Sequence, residues 1–248
     1  MSATDSLLTR DRLEALLEAI RAVRIGVVGD AALDVYWDAD MTLSRLAREN
    51  PHHVLPIVAE RLAPGGGSHA AACAAALGAR TWQLGLVGED WRGRELARLL
   101  PQDGVCTDFL LATPERTTCA FCKPLRHGLC EAVYEDPHFY FENRTPTPPA
   151  VEAALLARLD ALLGQVDAVL VADYHDFGVV TPALRARLCA APIPVLVDSR
   201  TRITDFHHVI LKPNELEAVW AAGSPLDPRA AALPELKALA EMQKQYPA

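Results

Sequence analysis

The segment APGGGSHAAACAAALGARTWQLGLVG, residues 63–88, decides how the chain is read. Three glycines open a run of small residues that ends at Leu77-Gly78, and an apolar, strand-like segment follows and closes on Gly88. Without a Cβ, Gly65, Gly66 and Gly67 can bring bare backbone amides against a ligand. The helix expected from about Ser68 adds unpaired N–H groups and the positive end of its dipole. The same residues also suit a loose turn before a tightly packed alanine helix, and only the surrounding sequence separates the two readings.

Upstream, Ile25–Gly29 (IGVVG) is a short continuous apolar run ending in glycine, as a buried parallel strand requires. Asp30 and Asp34 follow in GDAALD, where the chain is expected to leave the carboxyl end of that strand, the side on which open α/β sheets hold ligands. Each suits either a sugar hydroxyl or a turn. Leu13, Leu16, Leu17 and Ile20 mark one face of a docking helix over Asp11–Val23. Val35–Glu60 lacks the period of a crossover helix; Tyr36-Trp37, Met41–Leu46 and Val54–Val58 predict short strands instead, with His52 and His53 in the loop between them.

Downstream, a strand over Thr81–Val87, a helix over Trp91–Leu100 and a strand over Thr107–Leu111 continue a βα rhythm. RTTCAFCKPLRHGLCEAVYED then reads as two strands about a Pro-Leu-Arg-His-Gly turn. The two β excursions, about residues 35–60 and 114–143, are expected to pair into one lid. Cys119, Cys122, His127 and Cys130 come close to a zinc-knuckle spacing. Positions three apart in a strand face opposite ways, however, and no metal site is assigned. From Pro148 the alternation resumes: helix Ala150–Leu163, strand Ala168–Ala172, helix Thr181–Ala190, strands Val195–Asp198 and Val209–Leu211, helix Asn214–Ala221. That pattern predicts an α/β fold, a doubly wound and mainly parallel sheet with helices on both faces.

The chain has 248 residues, of which 50% are hydrophobic, enough for one domain spanning 1–248. A net charge of −8 argues against nucleic acid or an anionic membrane as partner. The absence of a signal-peptide pattern or a transmembrane-length run, with six cysteines read as reduced thiols, leads to a cytoplasmic expectation.

Asp173-Tyr174, Asp198-Ser199-Arg200 and Lys212-Pro213-Asn214 each fall just past a strand end, so polar groups converge on one rim of the sheet. Asn214 and Glu217, three apart at a helix start, suit a hydrated Mg²⁺ or, equally, a capping box. Lys123, Arg126, Arg200 and Lys212 suit a substrate phosphate or a solvated surface.

Gly65, Gly66, Ala71, Gly78 and Gly88 fall in register with the first signature of the ribokinase-like carbohydrate kinases, the phosphofructokinase-B family, in which His69 replaces an asparagine. GDAALDVYW, SRLARENPHHVLPI, Thr117-Thr118, ADYHDFGVVT, VLVDSR and LKPNELE recur in that family's order. Within it the chain most resembles the kinase half of the bifunctional heptose-phosphate kinase and adenylyltransferase. The resemblance implies a small β lid on the doubly wound sheet, ATP with Mg²⁺ as phosphoryl donor, and a sugar or sugar phosphate as acceptor. It also implies sugar contacts from Asp34, Gly65, Gly66 and His69, a Mg²⁺ and phosphate role for Asn214 and Glu217, and pairing of two copies through the lid. An imidazole at 69 offers one donor or one acceptor where a carboxamide offers both.

The family's base is an aspartate in a Gly-x-Gly-Asp loop whose amides form an anion hole. No glycine follows Gly223, so these 248 residues do not contain that loop. The alanine-rich helix expected over Asp227–Gln245 stands where the last strands of the family fold would follow. Neither a Walker loop nor a G-x-G-x-x-G substitutes for it. The expectation is therefore a sugar kinase by lineage, with no catalytic residue assigned and severely impaired unless a separate chain completes it. The alternative is a non-catalytic sugar-binding or partner-binding protein.

Overall fold

Alternation at period two in the first buried strand sets the layering. In β1 (Arg24–Gly29), Ile25 and Val27 join the core on one side of the sheet and Val28 joins the core on the other. The computed structural model describes residues 9–221; the helix expected over Asp227–Gln245 lies outside them. The chain runs α1 (Arg10–Ala19), β1, β2 (Ala31–Asp40), β3 (Ile57–Gly66), α2 (Gly67–Ala76), β4 (Arg80–Gly88), α3 (Trp91–Gln102), β5 (Val105–Cys106) and β6 (Leu110–Thr113). It continues through β7 (Cys119–His127), β8 (Val133–Glu135), β9 (Phe139–Phe141), α4 (Pro149–Leu163), β10 (Ala168–Asp173), α5 (Pro182–Cys189), β11 (Val195–Ser199), β12 (Ile210–Leu211) and α6 (Glu215–Ala221).

The main sheet has the order β12-β11-β10-β1-β4-β5, with β6 also beside β4, and all its pairings are parallel. Leu155, Leu159 and Leu162 of α4 and Leu184 and Leu188 of α5 cover one face. Ala71 and Ala74 of α2 and Leu96 and Leu100 of α3 cover the other. Small residues let α2 lie close on the sheet: a Cβ added at Gly67 would stand 3.1 Å from the Ala172 Cβ. This is the doubly wound arrangement that the βα rhythm implies.

A second sheet, β3-β2-β7-β8 with β9 also on β7, stands over the carboxyl rim. Its root is part of the core: Leu33, Val35, Ala120 and Cys122 pack with α2 and α3. β2 starts at Ala31, immediately after β1, and β3 runs on to Gly66. Asp34 and Gly65 therefore belong to the lid hairpin itself rather than to loops of the main sheet. Apolar Leu33 and Val35 draw the strand into the core before the excursion expected from residue 35.

Three local expectations are corrected. The Pro-Leu-Arg-His-Gly turn is strand as far as His127, because β2 pairs with β7 along its whole length, Pro124 opposite Trp37 included. On its other side β9 pairs with residues 120–122 and β8 with 125–127, so Pro124 sits in the gap where its missing N–H is not needed. The strand expected over Met41–Leu46 is a 3-10 turn at Met41–Leu43 capped by the Asp40 side chain, leaving only a bridge between Leu46 and His53. The helix at the start forms, but Leu13, Leu16 and Leu17 stay 40–50% exposed, and its end packs through Ile20 and Val23. No helix among the described residues is long and apolar enough to cross a membrane.

Candidate functional site

The cleft between lid and rim is built around Asp30, the residue joining β1 to β2. Its carboxylate, 2% exposed, accepts hydrogen bonds from the backbone N–H groups of Tyr174, His175 and Val179 at 2.8–2.9 Å. Burial pushes this carboxyl above its ordinary value against the pull of His175 and those amides. Asp30 is thus the anchor of the loop after β10, the turn-forming role rather than the ligand-contacting one. Gly178 is required beside it, because a Cβ there would stand 2.2 Å from an Asp30 carboxylate oxygen.

Asp34 points elsewhere. Its Oδ2 accepts from Lys123 Nζ at 2.7 Å and from the Tyr36 hydroxyl at 3.3 Å. Its Oδ1 lies over Gly65, so close that a Cβ on that glycine would be 2.4 Å away. The glycine pair and the aspartate are therefore one feature: Gly65 makes room for the carboxylate. Gly66 takes φ 55°, a conformation natural to glycine, and turns β3 directly into α2, with the Gly67 amide on the Asp30 carbonyl at 2.8 Å. His69 lies in the first turn of α2, exposed, with Nε2 3.5 Å from the Cys73 sulfur.

Along the rim, a Cβ on Gly66 would lie 3.8 Å from the Tyr174 ring, and the Tyr174 hydroxyl donates to Asp198 at 3.3 Å. Burial and Asp198 push the Tyr174 phenol well above its ordinary range. Asp198 in turn meets Lys212 at 2.9 Å. Asn214 and Glu217 close on each other: the Asn214 backbone N–H and Nδ2 donate to the two Glu217 oxygens at 2.8 and 3.0 Å, and the Glu217 N–H donates to Asn214 Oδ1 at 2.9 Å. This is a capping box. Burial raises the Glu217 carboxyl, the Asn214 amide opposes that, and Asp198 adds to it. Each carboxylate oxygen keeps a lone pair, so the pair fits a cation held through water better than one coordinated directly. Asp34, Gly65, Gly66, Tyr174, Asp198 and Lys212 thus follow one another along the rim, with Asp198 and Lys212 near enough to act on the Glu217 carboxyl.

Of the four cations considered for a phosphate, Lys123 is taken by Asp34, Arg126 by Asp136 at 2.5 Å and Lys212 by Asp198. Arg200 has no carboxylate partner among the described residues and lies over the Tyr174 ring, 5.9 Å from its centre. It lines a polar cavity of about 240 Å³ together with Glu142, Arg144, His175 and Thr201. His175, 6% exposed, has Nδ1 3.2 Å from Glu142 and its ring stacked on Phe121 of the lid at 5.6 Å. Asp173 is spent on Arg202 and Ser199 and is fully buried. Cys119 and Cys122 are buried free thiols, burial raising the Cys119 thiol to about 12, and His127 meets Asp38 at 3.1 Å.

Sequence reasoning missed the partnerships rather than the residues. Lys123 and Asp34 lie 89 positions apart, and nothing local to either names the other. The Asp30 anchor joins residues 144–149 positions apart in the same way.

Comparison with known proteins gives a consistent picture. A profile described as pfkB family carbohydrate kinase matches residues 30–246. The chain is 32% identical over 217 residues to the bifunctional protein HldE of Azorhizobium caulinodans, covering 85% of this chain and 44% of that protein. It is 32% identical over 225 residues to HldE of a Caulobacter species, with 86% and 43% covered. It spans less than half the length of these curated relatives. Among solved structures, phosphofructokinase-2 of Escherichia coli in complex with fructose-6-phosphate aligns with TM-score 0.61 at 16% identity, covering 89% of this chain and 69% of that one. Ribokinase of Arabidopsis thaliana complexed with ribose and ATP aligns with TM-score 0.56 at 20% identity, over 90% and 69%. With a family profile matched across most of its length, and a doubly wound sheet bearing a lid to go with it, the chain belongs to the pfkB family of carbohydrate kinases.

Proposed function

We propose that this chain supplies the sugar-binding part of a kinase that transfers the ATP γ-phosphate to a hydroxyl of a sugar or sugar phosphate. The observation that carries the reading is the Asp34 carboxylate held over Gly65, two residues before the start of α2. A carboxylate there accepts sugar O–H groups, and the first-turn amides of α2 favour electron-rich oxygens. His69, one turn from Cys73, is the third contact. ATP and Mg²⁺ are the expected co-substrates. Asn214, Glu217 and Asp198 would hold the cation through its water, and the cation would supply charge neutralisation for the phosphates. Where the acceptor is a sugar phosphate, Arg200, which has no carboxylate partner among the described residues and lies over the Tyr174 ring, is the cation proposed to meet its phosphate.

Transfer itself depends on positioning and charge stabilisation. As a 248-residue polypeptide assayed alone, without a Gly-x-Gly-Asp loop, the chain is proposed to bind sugar saturably and to turn over ATP several powers of ten more slowly than its relatives. Titration calorimetry with ribose and fructose 6-phosphate, and a coupled ATPase assay with each sugar, test both halves. Saturable binding lost in Asp34→Asn supports the pocket. Rapid ATP turnover by this polypeptide would end the deficiency, and no binding of any sugar would end the pocket.

The outer surface of the lid favours a second copy of the chain as partner. Val58, Tyr134 and Phe139 are all more than half exposed there, and Trp37 packs on Phe139 with ring centres 6.1 Å apart.

A further inference from the structure

The lid surface that faces the rim carries more than the one predicted contact. In the β2–β7 register, Asp34 stands opposite Phe121 and Tyr36 opposite Lys123, so all four side chains emerge on the same face. Phe121 stacks on His175, whose own backbone N–H is held by Asp30, so this face looks at the rim and not at solvent on the far side. Lys123 is a β7 residue that leans across to β2. Its ammonium reaches Asp34 Oδ2 at 2.7 Å and the Tyr36 hydroxyl at 3.2 Å, and lies 4.8 Å from the centre of the Tyr36 ring.

The hydrogen bonds of this cluster leave a specific remainder. Tyr36 and Lys123 both use Oδ2 of Asp34; Oδ1 has no hydrogen-bond partner among the described residues and overhangs Gly65. An ammonium has three hydrogens, and two of the Lys123 hydrogens are engaged. One acceptor and one donor are left side by side. The Lys123 and Asp34 side chains are 20% and 16% exposed, enough to be reached and enough desolvated for such bonds to count. The pair is neutral as a whole, which suits a neutral polyol better than an anion.

We propose that Lys123 is a ligand-contacting, specificity-determining residue, whose ammonium donates to one hydroxyl of the sugar while Asp34 accepts from the neighbouring hydroxyl. The ligand class is a sugar presenting adjacent hydroxyls to the lid. The inference rests on the sugar-binding reading of the cleft and adds to it a residue outside the signature stretches that carried the family resemblance. It also gives the lid a direct part in choosing the ligand, because donor and acceptor come from two different lid strands.

Calorimetric titration of the 248-residue chain with ribose, fructose 6-phosphate and the monodeoxy riboses tests it, comparing the unaltered protein with Lys123→Met, Lys123→Arg and Asp34→Asn. Lys123→Met is expected to weaken ribose binding by roughly ten- to a hundredfold, as loss of a hydrogen bond from a charged donor does. Lys123→Arg should recover a substantial part of that. In the unaltered protein one monodeoxy ribose should bind more weakly than ribose, and in Lys123→Met that difference should vanish. Circular-dichroism melts of each variant distinguish lost contact from lost fold, and Lys123→Arg keeps the charge if Lys123→Met fails to fold. Ribose binding unchanged or tightened in Lys123→Met, with Asp34→Asn still losing it, overturns the role of Lys123 and leaves the cleft reading intact. Binding that neither substitution affects, or no saturable binding of any probe, overturns the cleft reading and this inference with it.

Discussion

At the scale of single residues, two glycines of the cleft make room for carboxylates in different settings, one partly exposed and one buried. Gly65 and Gly178 both face a carboxylate, Asp34 and Asp30 respectively, at 2.4 and 2.2 Å from an added Cβ. Asp34 is partly exposed and able to swing away, whereas Asp30 is buried and tied to three amides. Gly65→Ala is therefore expected to abolish measurable ribose binding while costing about 1 kcal/mol of stability. Gly178→Ala is expected to cost about 2–4 kcal/mol, because it breaks a buried hydrogen-bonded carboxylate out of its place. Calorimetric titration and urea melts of the two variants, side by side, check the contrast. His69 belongs to the same scale. His69→Asn restores a carboxamide that donates and accepts at once, and roughly tenfold tighter ribose binding is the expected outcome, read by the same titration. Asp34, Gly65, Gly66 and His69 are singled out from stretches of telling residue type and spacing; the fold brings Asp34 over Gly65, while His69 stands exposed beside Cys73. The pairing of Lys123 with Asp34 is not legible there, since a salt bridge across two lid strands is set by register, and register is a property of the folded sheet.

At the scale of elements, α3 and β7 show how a loop carboxylate couples the main sheet to the lid. Asp90 caps α3 by accepting from the Gly93 N–H at 2.9 Å and also accepts from the Thr118 N–H at 2.9 Å, one residue before β7. Thr118 reciprocates through its hydroxyl, which accepts from the Gly88 N–H at 2.8 Å. Burial alone would raise the Asp90 carboxyl, but the amides of Thr118 and Gly93 outweigh it and hold the group below its ordinary value. A carboxylate whose pKa falls on folding adds stability above its unfolded pKa, about 4, and that stability is lost as pH falls through the folded value. Asp90→Ala is expected to cost about 1–2 kcal/mol at neutral pH. Asp90→Asn should flatten the loss of stability between pH 5 and pH 3, approximately. Urea melts across that range measure both. The elements themselves were largely readable from period: the main-sheet strands and the helices over 91–102, 149–163 and 182–189 follow it within a few residues. The lid resisted for a physical reason. Its strands are buried at the root and exposed at the tip, so no single alternation runs along them, and Pro124 imitates a turn.

At the scale of the whole molecule, two faces of the lid do different work. The rim-facing surface carries the charged groups, with Asp34, Tyr36 and Lys123 near the root, and farther out Asp38 bound by Arg61 at 3.1 Å and by His127 at 3.1 Å. The rest of the lid exposes Leu43, Leu46, Val58, Tyr134 and Phe139, each more than 50% accessible. This apolar surface has no covering layer among the described residues, and the second copy proposed as partner would supply one with twofold symmetry. On the proposed sugar-binding reading the face bearing Asp34 and Lys123 has to stay open, which leaves the apolar surface for the proposed pairing. If the proposed lid dimer forms, replacing Val58 and Phe139 together with aspartate is expected to shift it toward monomer, raising its dissociation constant at least about tenfold, because a buried unpaired charge at the centre of an interface is costly. Sedimentation velocity at a series of protein concentrations reads this directly. The monomer so produced should melt within a few degrees of the parent measured at low concentration, since neither side chain belongs to the buried core. A parent chain that sediments as a monomer at every concentration would show that the lid is covered in some other way.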